Sequence, residues 1–274
     1  MTLRELLAEV RTRLLPVSGD DAAAEARELV SFALGRRVGF RDGGAELTET
    51  QAAKLENAVV RRLSHEPLQY VIGEWDLCGL TFFVTPAVLI PRADTETLVL
   101  EAERLIAGRG YVELLDICTG SGCVGVSLAK RTGVRAVLSD ISAAALEVAE
   151  RNARLHGAGC EIVQSDLFAA FTGRRFDIIT ANPPYIPTET VKTLSEEVRR
   201  EPALALDGGT DGLCFYRRIA AELPGVLRPG GAFVTEIGFD QGESVSALFG
   251  PLGEVRIVRD CEDRDRVVSV VIPE

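Results

Sequence analysis

The sequence has few of the residues that most often bind metal ions. Only two of its 274 residues are histidine, His65 and His156, and neither has a second ligand at metal-binding spacing. Its six cysteines form no Cys-x-x-Cys pair, so we predict no metal site and expect reduced, buried thiols. These cysteines are Cys78, Cys118, Cys123, Cys160, Cys214 and Cys261.

Long apolar runs and a basic stripe are also absent. No apolar stretch approaches the roughly 20 residues of a membrane helix, and residues 1–5 lack the pattern of a signal peptide. We therefore expect a cytoplasmic protein, a monomer, with no membrane partner. The net charge of −11 repels a phosphate backbone, which disfavours direct binding of nucleic acid.

The N-terminal quarter is predicted to be helical. Two capping boxes, Thr2-x-x-Glu5 and Thr48-x-x-Gln51, precede apolar residues at helical spacing. We predict a small helical bundle over residues 1–67. It has no residues with evident catalytic chemistry, so we assign it to substrate or partner binding, or to scaffolding.

The rest of the chain is predicted to form a hairpin and then an α/β domain. Residues 68–92 alternate like strands interrupted by glycines, starting at residues 70–73, and predict a β-hairpin linker. Over residues 93–274 buried strands alternate with helices, and an antiparallel hairpin closes the chain. This pattern predicts an α/β fold with a Rossmann-like, mostly parallel sheet and an antiparallel C-terminal hairpin.

A four-residue motif, Asn-Pro-Pro-Tyr, follows the short buried strand of residues 176–180. Its prolines lack a backbone N–H, so the strand stops and Asn182 projects beyond the carboxyl end, where open α/β sheets bind ligands. The Asn182 side-chain oxygen and the Pro183 carbonyl can accept both hydrogens of one –NH2 group, with Tyr185 against its flat face. The alternative interpretation is an ordinary turn after a strand.

A glycine-rich loop follows an earlier buried strand. Gly120, Gly122 and Gly125 have dinucleotide-binding spacing, and Asp140, twenty residues after the first glycine, is placed to bind ribose hydroxyls. The loop alone fits either a nicotinamide enzyme or one that uses S-adenosylmethionine. Hydride transfer has no use for the Asn182 motif, whereas a weakly nucleophilic planar nitrogen needs to be aimed at a strong electrophile. We therefore predict an S-adenosylmethionine-dependent methyltransferase.

Six blocks of sequence extend this prediction. They are Pro67-Leu68-Gln69-Tyr70-x-x-Gly73, Leu89-Ile90-Pro91-Arg92-x-x-Thr95-Glu96, residues 116–122, Asn182-Pro183-Pro184-Tyr185, Glu201-Pro202-x-x-Ala205-Leu206-Asp207-Gly208-Gly209-x-Asp211-Gly212, and Arg259-Asp260 with Asp265-Arg266. Together they resemble the protein-(glutamine-N5) methyltransferases that act on peptide chain release factors, over nearly the whole chain. Two positions depart from that family: Cys118 stands where such loops often have glycine, and Ala93-Asp94 replaces the usual Pro-Glu or Pro-Asp.

The resemblance implies methyl transfer from S-adenosyl-L-methionine to the side-chain amide nitrogen (N5) of the glutamine in a release factor's Gly-Gly-Gln loop, with S-adenosyl-L-homocysteine as product. It implies catalytic roles for Asn182, Pro183 and Tyr185. The cofactor site it implies consists of Cys118, Thr119, Gly120, Ser121, Gly122, Asp140, Asp166, Leu167 and Asn182. The substrate site it implies consists of Asn182, Pro183, Pro184, Tyr185, Arg92 and Glu96.

Three other functions remain open from the sequence. An adenine-N6 methyltransferase would use the same grip on an exocyclic amine after flipping the base, although the acidic charge disfavours it. A relative that modifies a ribosomal protein's glutamine is the second, and a non-catalytic, cofactor-binding partner of a translation factor is the third. For Arg92 the alternative to a pocket role is a surface ion pair with Glu96 at the start of a helix.

Overall fold

The computed structural model describes residues 2–39 and 47–274, so residues 40–46 of the predicted bundle lie outside the described residues. Within these ranges the helices are α1 (Leu3–Ser18), α2 (Ala22–Leu34), α3 (Glu49–Leu63), α4 (Leu68–Ile72), α5 (Thr95–Arg109), α6 (Cys123–Thr132), α7 (Ala143–Leu155), α8 (Thr188–Val191), α9 (Cys214–Val226) and α10 (Gly242–Phe249). The strands are β1 (Glu74–Leu77), β2 (Leu80–Phe83), β3 (Glu113–Ile117), β4 (Arg135–Asp140), β5 (Glu161–Gln164), β6 (Phe176–Ala181), β7 (Leu227–Glu236), β8 (Glu254–Arg259) and β9 (Asp265–Val271). No helix in the described ranges is long and apolar enough to cross a bilayer.

The chain divides into two compact units. One comprises the residues up to Glu74 together with Ser195–Arg200, and the other comprises Trp75–Leu194 and Glu201–Glu274. The three-part division predicted from the sequence, at residues 67 and 92, stays a prediction.

The first unit contains the three helices predicted for the bundle. Both predicted capping boxes are present: in each, the threonine side chain accepts from the N3 backbone N–H, and the N3 side chain accepts from the threonine N–H. The buried core of α1, α2 and α3 consists of residues at helical spacing, among them Leu6, Val10, Leu29, Val30, Leu55 and Val59. The prediction of three amphipathic helices is therefore confirmed.

The predicted hairpin linker is wrong at its start. Residues 70–73 were expected to form a strand, but Leu68–Ile72 is helix α4, which ends at Gly73 in the left-handed conformation. A short apolar run does not separate a helix from a strand by periodicity, and here three of the five side chains are buried in the helical form. The hairpin itself is confirmed as a two-stranded sheet of β1 and β2.

The second unit is organised around a seven-stranded sheet in the order β5-β4-β3-β6-β7-β9-β8. Strands β3 to β7 pair in parallel, whereas β9 pairs antiparallel with both β7 and β8. The predicted mostly parallel sheet with an antiparallel C-terminal hairpin is confirmed. The strand order reverses between β3 and β6, and such a switch point opens a crevice at the carboxyl ends of the strands.

The central strands of the sheet are buried on both faces, as strands of a parallel sheet require. Leu114 belongs to one apolar cluster, with side chains from α5, α6 and α7, and the next residue, Leu115, belongs to the other, with side chains from α9 and α10. The alternation follows from the two-residue period of a strand. The central strands are therefore fixed by packing from both sides, and the loops at their carboxyl ends stand on a rigid base.

Candidate active site

One cavity lies at the switch point of the sheet. It has a volume of about 350 Å³ and is lined by residues at the ends of β3 and β4 and by the segments that follow β5 and β6. Small-molecule sites commonly occupy about 300–1,000 Å³. The position and size of this cavity fit the binding of a small ligand at the predicted edge.

The glycine loop between β3 and α6 forms one wall. The Thr119 N–H donates to the Ser139 carbonyl at 3.0 Å, and the Gly120 N–H donates to Asp140 Oδ2 at 2.9 Å, so the loop is held against β4. Cys118, the departure from the family pattern, has a φ of +53°, a conformation that costs a non-glycine residue roughly 1–2 kcal/mol. Cys118 is partly buried at the cavity wall, and burial raises the pKa of its thiol well above the ordinary value.

Asp116 lies behind this loop, fully buried. Its carboxylate accepts hydrogen bonds from the Thr119 hydroxyl at 2.5 Å, the Gly125 N–H at 3.1 Å and the Thr180 hydroxyl at 2.7 Å. Burial raises the pKa of Asp116 to about 6, although the three hydrogen bonds work in the opposite direction. One carboxylate thus ties the glycine loop, the start of α6 and strand β6 together.

Asp140 and Ser139 present polar groups to the cavity. Asp140 Oδ1 accepts from the Ser142 N–H at 2.9 Å, and burial raises the pKa of the Asp140 carboxyl. Ser139 is 1% exposed, and its hydroxyl has no hydrogen-bond partner within the described ranges. Since buried hydroxyls are almost always paired, Ser139 marks a place where a polar ligand would complete the site.

A further wall joins the segment after β5 to helix α9. Asp166 Oδ1 accepts from Arg218 at 2.9 Å, and both residues line the cavity together with Leu167 and Phe215. Leu167 is buried with a φ of +48°. Phe215 and Arg218 were not among the predicted site residues, because nothing in the sequence of α9 shows which of its faces meets the segment after β5.

Asn182 follows β6 and lines the cavity. Throughout residues 2–39 and 47–274, no hydrogen bond uses its side-chain amide or the Pro183 carbonyl. Pro183 and Pro184 are buried, so the backbone of the motif is fixed while these two acceptors stay available. The Tyr185 hydroxyl donates to Glu236 Oε1 at 3.3 Å, and burial raises the Tyr185 pKa above its ordinary value.

The glycines of the Glu-Pro block support this motif from behind. A Cβ added at Gly208 would lie 2.7 Å from the Tyr185 Cα, and one added at Gly212 would lie 2.3 Å from the Tyr185 carbonyl oxygen. Gln241 also donates to that carbonyl, at 3.0 Å. These close approaches explain why glycine is needed at both positions, and they fix the backbone of the Asn182 motif.

Glu201 joins two segments that line the cavity. Its side chain is 1% exposed; Oε2 accepts from the Ile90 N–H at 2.9 Å, and Oε1 pairs with Arg92. Three neighbours of these contacts line the cavity: Leu89 and Pro91, on either side of Ile90, and Pro202, which follows Glu201. Glu201 therefore ties the Leu-Ile-Pro-Arg segment to the Glu-Pro segment.

Comparison with known proteins decides the family. The release factor glutamine methyltransferase of Geobacter sulfurreducens is 42% identical to this chain, and the match covers 98% of this chain and 96% of that protein. The enzyme of the same name from Moorella thermoacetica is also 42% identical, with 97% of each chain covered. The chain belongs to the release factor glutamine methyltransferase family.

Family and fold comparisons agree with this membership. The PrmC N-terminal domain matches residues 5–73, and the methyltransferase small domain matches residues 94–209. Among solved structures, a methyltransferase from Pyrococcus furiosus superimposes with a TM-score of 0.54 at 16% identity, covering 80% of this chain and 100% of that one. This last likeness shows that the fold is that of a methyltransferase.

Most of the predicted site residues line one cavity. Those that do are Cys118, Thr119, Gly120, Ser121, Asp140, Asp166, Leu167, Asn182 and Pro184. Gly122, Pro183, Tyr185, Arg92 and Glu96 are outside its lining. The roles predicted for these residues stay predictions.

The alternative prediction of an Arg92–Glu96 ion pair is wrong. Arg92 pairs with Glu201 instead, and Glu96 accepts a hydrogen bond from the Cys78 N–H of the hairpin at 2.7 Å. All six cysteines are free, but the expectation that they are buried is confirmed only for Cys123: Cys78, Cys118 and Cys160 are partly buried, and Cys214 and Cys261 are exposed. Cys261 lies between Asp260 and Glu262 in a charged segment, which accounts for its exposure, whereas Cys214 lies at the start of helix α9 next to apolar residues.

Two buried carboxylates were missed by the sequence analysis. Glu201 was predicted only as a member of the Glu-Pro block, and no role was predicted for Glu236. The sequence does contain a signal for Glu236, because it is the last residue of a buried strand of the sheet. Asp140 is likewise the last residue of β4, and Asp116 is the last but one of β3. An acid at the carboxyl end of such a strand points to the ligand-binding edge.

Proposed function

We propose that this protein transfers a methyl group from S-adenosyl-L-methionine to the N5 nitrogen of the glutamine in the Gly-Gly-Gln loop of peptide chain release factors. One observation carries the proposal: the unpartnered Asn182 amide and the glycine loop of Gly120 face the same cavity. The same cavity thus contains a side chain that can hydrogen-bond an amide and a loop that can bind a nucleoside cofactor. The names of the relatives supply the substrate.

The residues of the cavity fit S-adenosylmethionine. We assign the ribose to Asp140, the methionine end to residues 118–122, and the adenine to Asp166 and Leu167. The unpartnered Ser139 hydroxyl supports a polar ligand at this position, because a buried hydroxyl without a partner costs free energy. When bound, the cofactor supplies an electrophilic methyl group on a sulfonium.

The protein's own contribution to the chemistry is positioning. The Asn182 side-chain oxygen and the Pro183 carbonyl accept the two hydrogens of the glutamine –NH2, which aims the nitrogen and raises its electron density. Tyr185 packs against the flat face of the amide, with Pro184, Arg92 and Glu96 shaping the pocket. No strong base is needed before attack, because the proton leaves after the nitrogen has gained the methyl group.

The remaining predictions fit this function. We propose a cytoplasmic monomer that does not contact nucleic acid directly, in line with the net charge of −11. We also propose that the helical region of residues 1–67 and the segment of residues 68–92, which contains helix α4 and the β1–β2 hairpin, are distinct from the methyltransferase domain. The helical region would then bind the release factor.

Mass spectrometry of a purified release factor, incubated with this protein and labelled cofactor, tests the proposed function. We expect one added methyl group on the glutamine of the Gly-Gly-Gln loop and none on a release factor with that glutamine replaced by alanine. A ribosomal protein fraction and an adenine-containing oligonucleotide serve as the other substrates. Label on either of these, with none on the release factor, would contradict the proposal.

A further inference from the structure

Glu236 forms a buried hydrogen-bond network beside the Asn182 motif. It ends strand β7 and is 2% exposed. Its two oxygens have different partners: the Thr95 hydroxyl donates to Oε2 at 2.7 Å, and the Tyr185 hydroxyl donates to Oε1 at 3.3 Å. Thr95 lines the cavity, and Tyr185 belongs to the motif assigned to the substrate amide.

The sheet register places Glu236 at the carboxyl-end edge of the sheet, next to Asn182. Ala181 of β6 pairs with Thr235 of β7 in a parallel ladder, so the next residues, Asn182 and Glu236, leave the two strands side by side. Both residues therefore stand on the rigid centre of the sheet.

The buried Glu236 carboxyl interacts with one arginine and two hydroxyl groups. Burial raises the pKa of Glu236, and the charge of Arg266, which is held by Asp94 at 3.0 Å and by Asp260 at 3.2 Å, works in the opposite direction without cancelling it. A buried carboxylate destabilises the fold unless hydrogen bonds and charges compensate for its lost hydration. The Thr95 and Tyr185 hydroxyls supply those bonds, and the Tyr185 hydroxyl stays a donor because burial raises its pKa.

We propose that Glu236 is a positioning residue for methyl transfer, which holds the Tyr185 hydroxyl and thereby sets the ring against the plane of the substrate amide. The inference rests on the proposed function. The 3.3 Å contact is longer than an ideal O–H···O bond, and catalytic hydrogen bonds often shorten only when the substrate binds. The hydrogen bond from Thr95, a residue of the cavity wall, fixes the orientation of the same carboxylate.

Steady-state kinetics of the full-length variants Tyr185→Phe, Glu236→Gln and the double variant test this role. Each single change should lower kcat for the release factor about tenfold, the effect of weakening one hydrogen bond to a charged group. The cofactor Kd and binding stoichiometry should stay within twofold of wild type, as should KM for the release factor. The double variant should be no more than twofold worse than the poorer single variant, because both changes act on the same hydrogen bond.

Two control variants separate this role from a general loss of packing. Tyr111→Phe removes a tyrosine hydroxyl that donates to the Gly230 carbonyl at 2.6 Å, at the opposite end of the sheet. Glu101→Gln removes the charge of another buried glutamate, one bonded to Ser269 and Arg104. Both should keep wild-type kcat, even where the melting temperature falls.

The outcomes separate the inference from the proposed function. Wild-type kcat in Tyr185→Phe or in Glu236→Gln, or defects that multiply in the double variant, would overturn the role of Glu236 alone. A wild-type protein that does not methylate the release factor would contradict the proposed function, and this inference with it. Tyr185→Phe keeps the test decisive if Glu236→Gln unfolds, because the ring and its packing are retained.

Discussion

The Thr180 hydroxyl donates a 2.7 Å hydrogen bond to the buried carboxylate of Asp116, directly across the β3–β6 ladder in which the two residues are paired. Asp116 also holds the glycine loop through Thr119, and Thr180 lies two residues before Asn182. One hydrogen bond thus links the strand that carries the cofactor loop to the strand that carries the amide grip.

Thr180→Val should lower the free energy of unfolding by about 2 kcal/mol, because it removes a hydrogen bond to a buried charged group without changing the shape of the side chain. Chemical denaturation measures this. Thr235→Val is the control on the next strand, since the Thr235 hydroxyl makes only a 3.2 Å contact with the Glu236 carbonyl. An equal decrease in the free energy of unfolding in the two variants would show that the hydrogen bond to Asp116 contributes no more to stability than the weaker Thr235 contact.

The raised Asp116 pKa predicts a pH dependence of stability. A carboxyl whose pKa rises from 3.8 to about 6 on folding stabilises the fold fully below pH 3.8, and this contribution is lost as the pH rises through 6. The rise corresponds to about 3 kcal/mol, since each pKa unit is worth 1.36 kcal/mol.

Asp116→Asn removes this titration. The stability of the wild type relative to the variant should therefore fall between pH 4 and about pH 6.5 and then level off. Urea unfolding of both proteins at several pH values provides the measurement. A stability difference that is constant across this range would contradict the raised pKa.

The sequence predicted those parts of the fold and site that local patterns encode. The capping boxes at Thr2 and Thr48, the strand alternation and the glycine loop are all local, and so is the stop at Asn182, where prolines end a strand. The helix at Leu68–Ile72 was missed because a mainly apolar segment of five residues fits either a helix or a strand.

What escaped prediction depends on partners that are distant in the chain. Glu201 meets Ile90 and Arg92 across more than 100 residues, and Glu236 meets Thr95 across 141. No periodicity marks such a pairing, because each partner is chosen by the folded sheet. The sequence therefore predicted that Arg92 either shapes the pocket or pairs with Glu96, whereas its partner in the structure is Glu201.

Glu201→Gln should lower both the stability of the protein and its affinity for the cofactor, because Glu201 joins two segments of the cavity wall. The change weakens the pairing with Arg92 and leaves one donor facing another, so we expect a loss of about 2 kcal/mol in stability and a weaker cofactor affinity. Thermal unfolding with and without S-adenosylhomocysteine measures both. Glu113→Gln, which disrupts the more exposed pairs with Arg228 and Arg135, should cost less than about 1 kcal/mol and leave affinity unchanged. A wild-type cofactor affinity in Glu201→Gln would contradict a role for Glu201 in shaping the cavity.

The most direct test of the account measures methyl transfer to the release factor and cofactor binding side by side in Asn182→Ala. Without the side-chain acceptor the substrate amide is no longer aimed, so turnover should fall about 100-fold or more. The Kd for S-adenosylhomocysteine should change little, since the loop of residues 118–122 and Asp140 are untouched. Glu147→Ala, an exposed change in helix α7, should behave as wild type. Wild-type turnover in Asn182→Ala, with the cofactor still bound, would contradict the claim that Asn182 grips the glutamine amide.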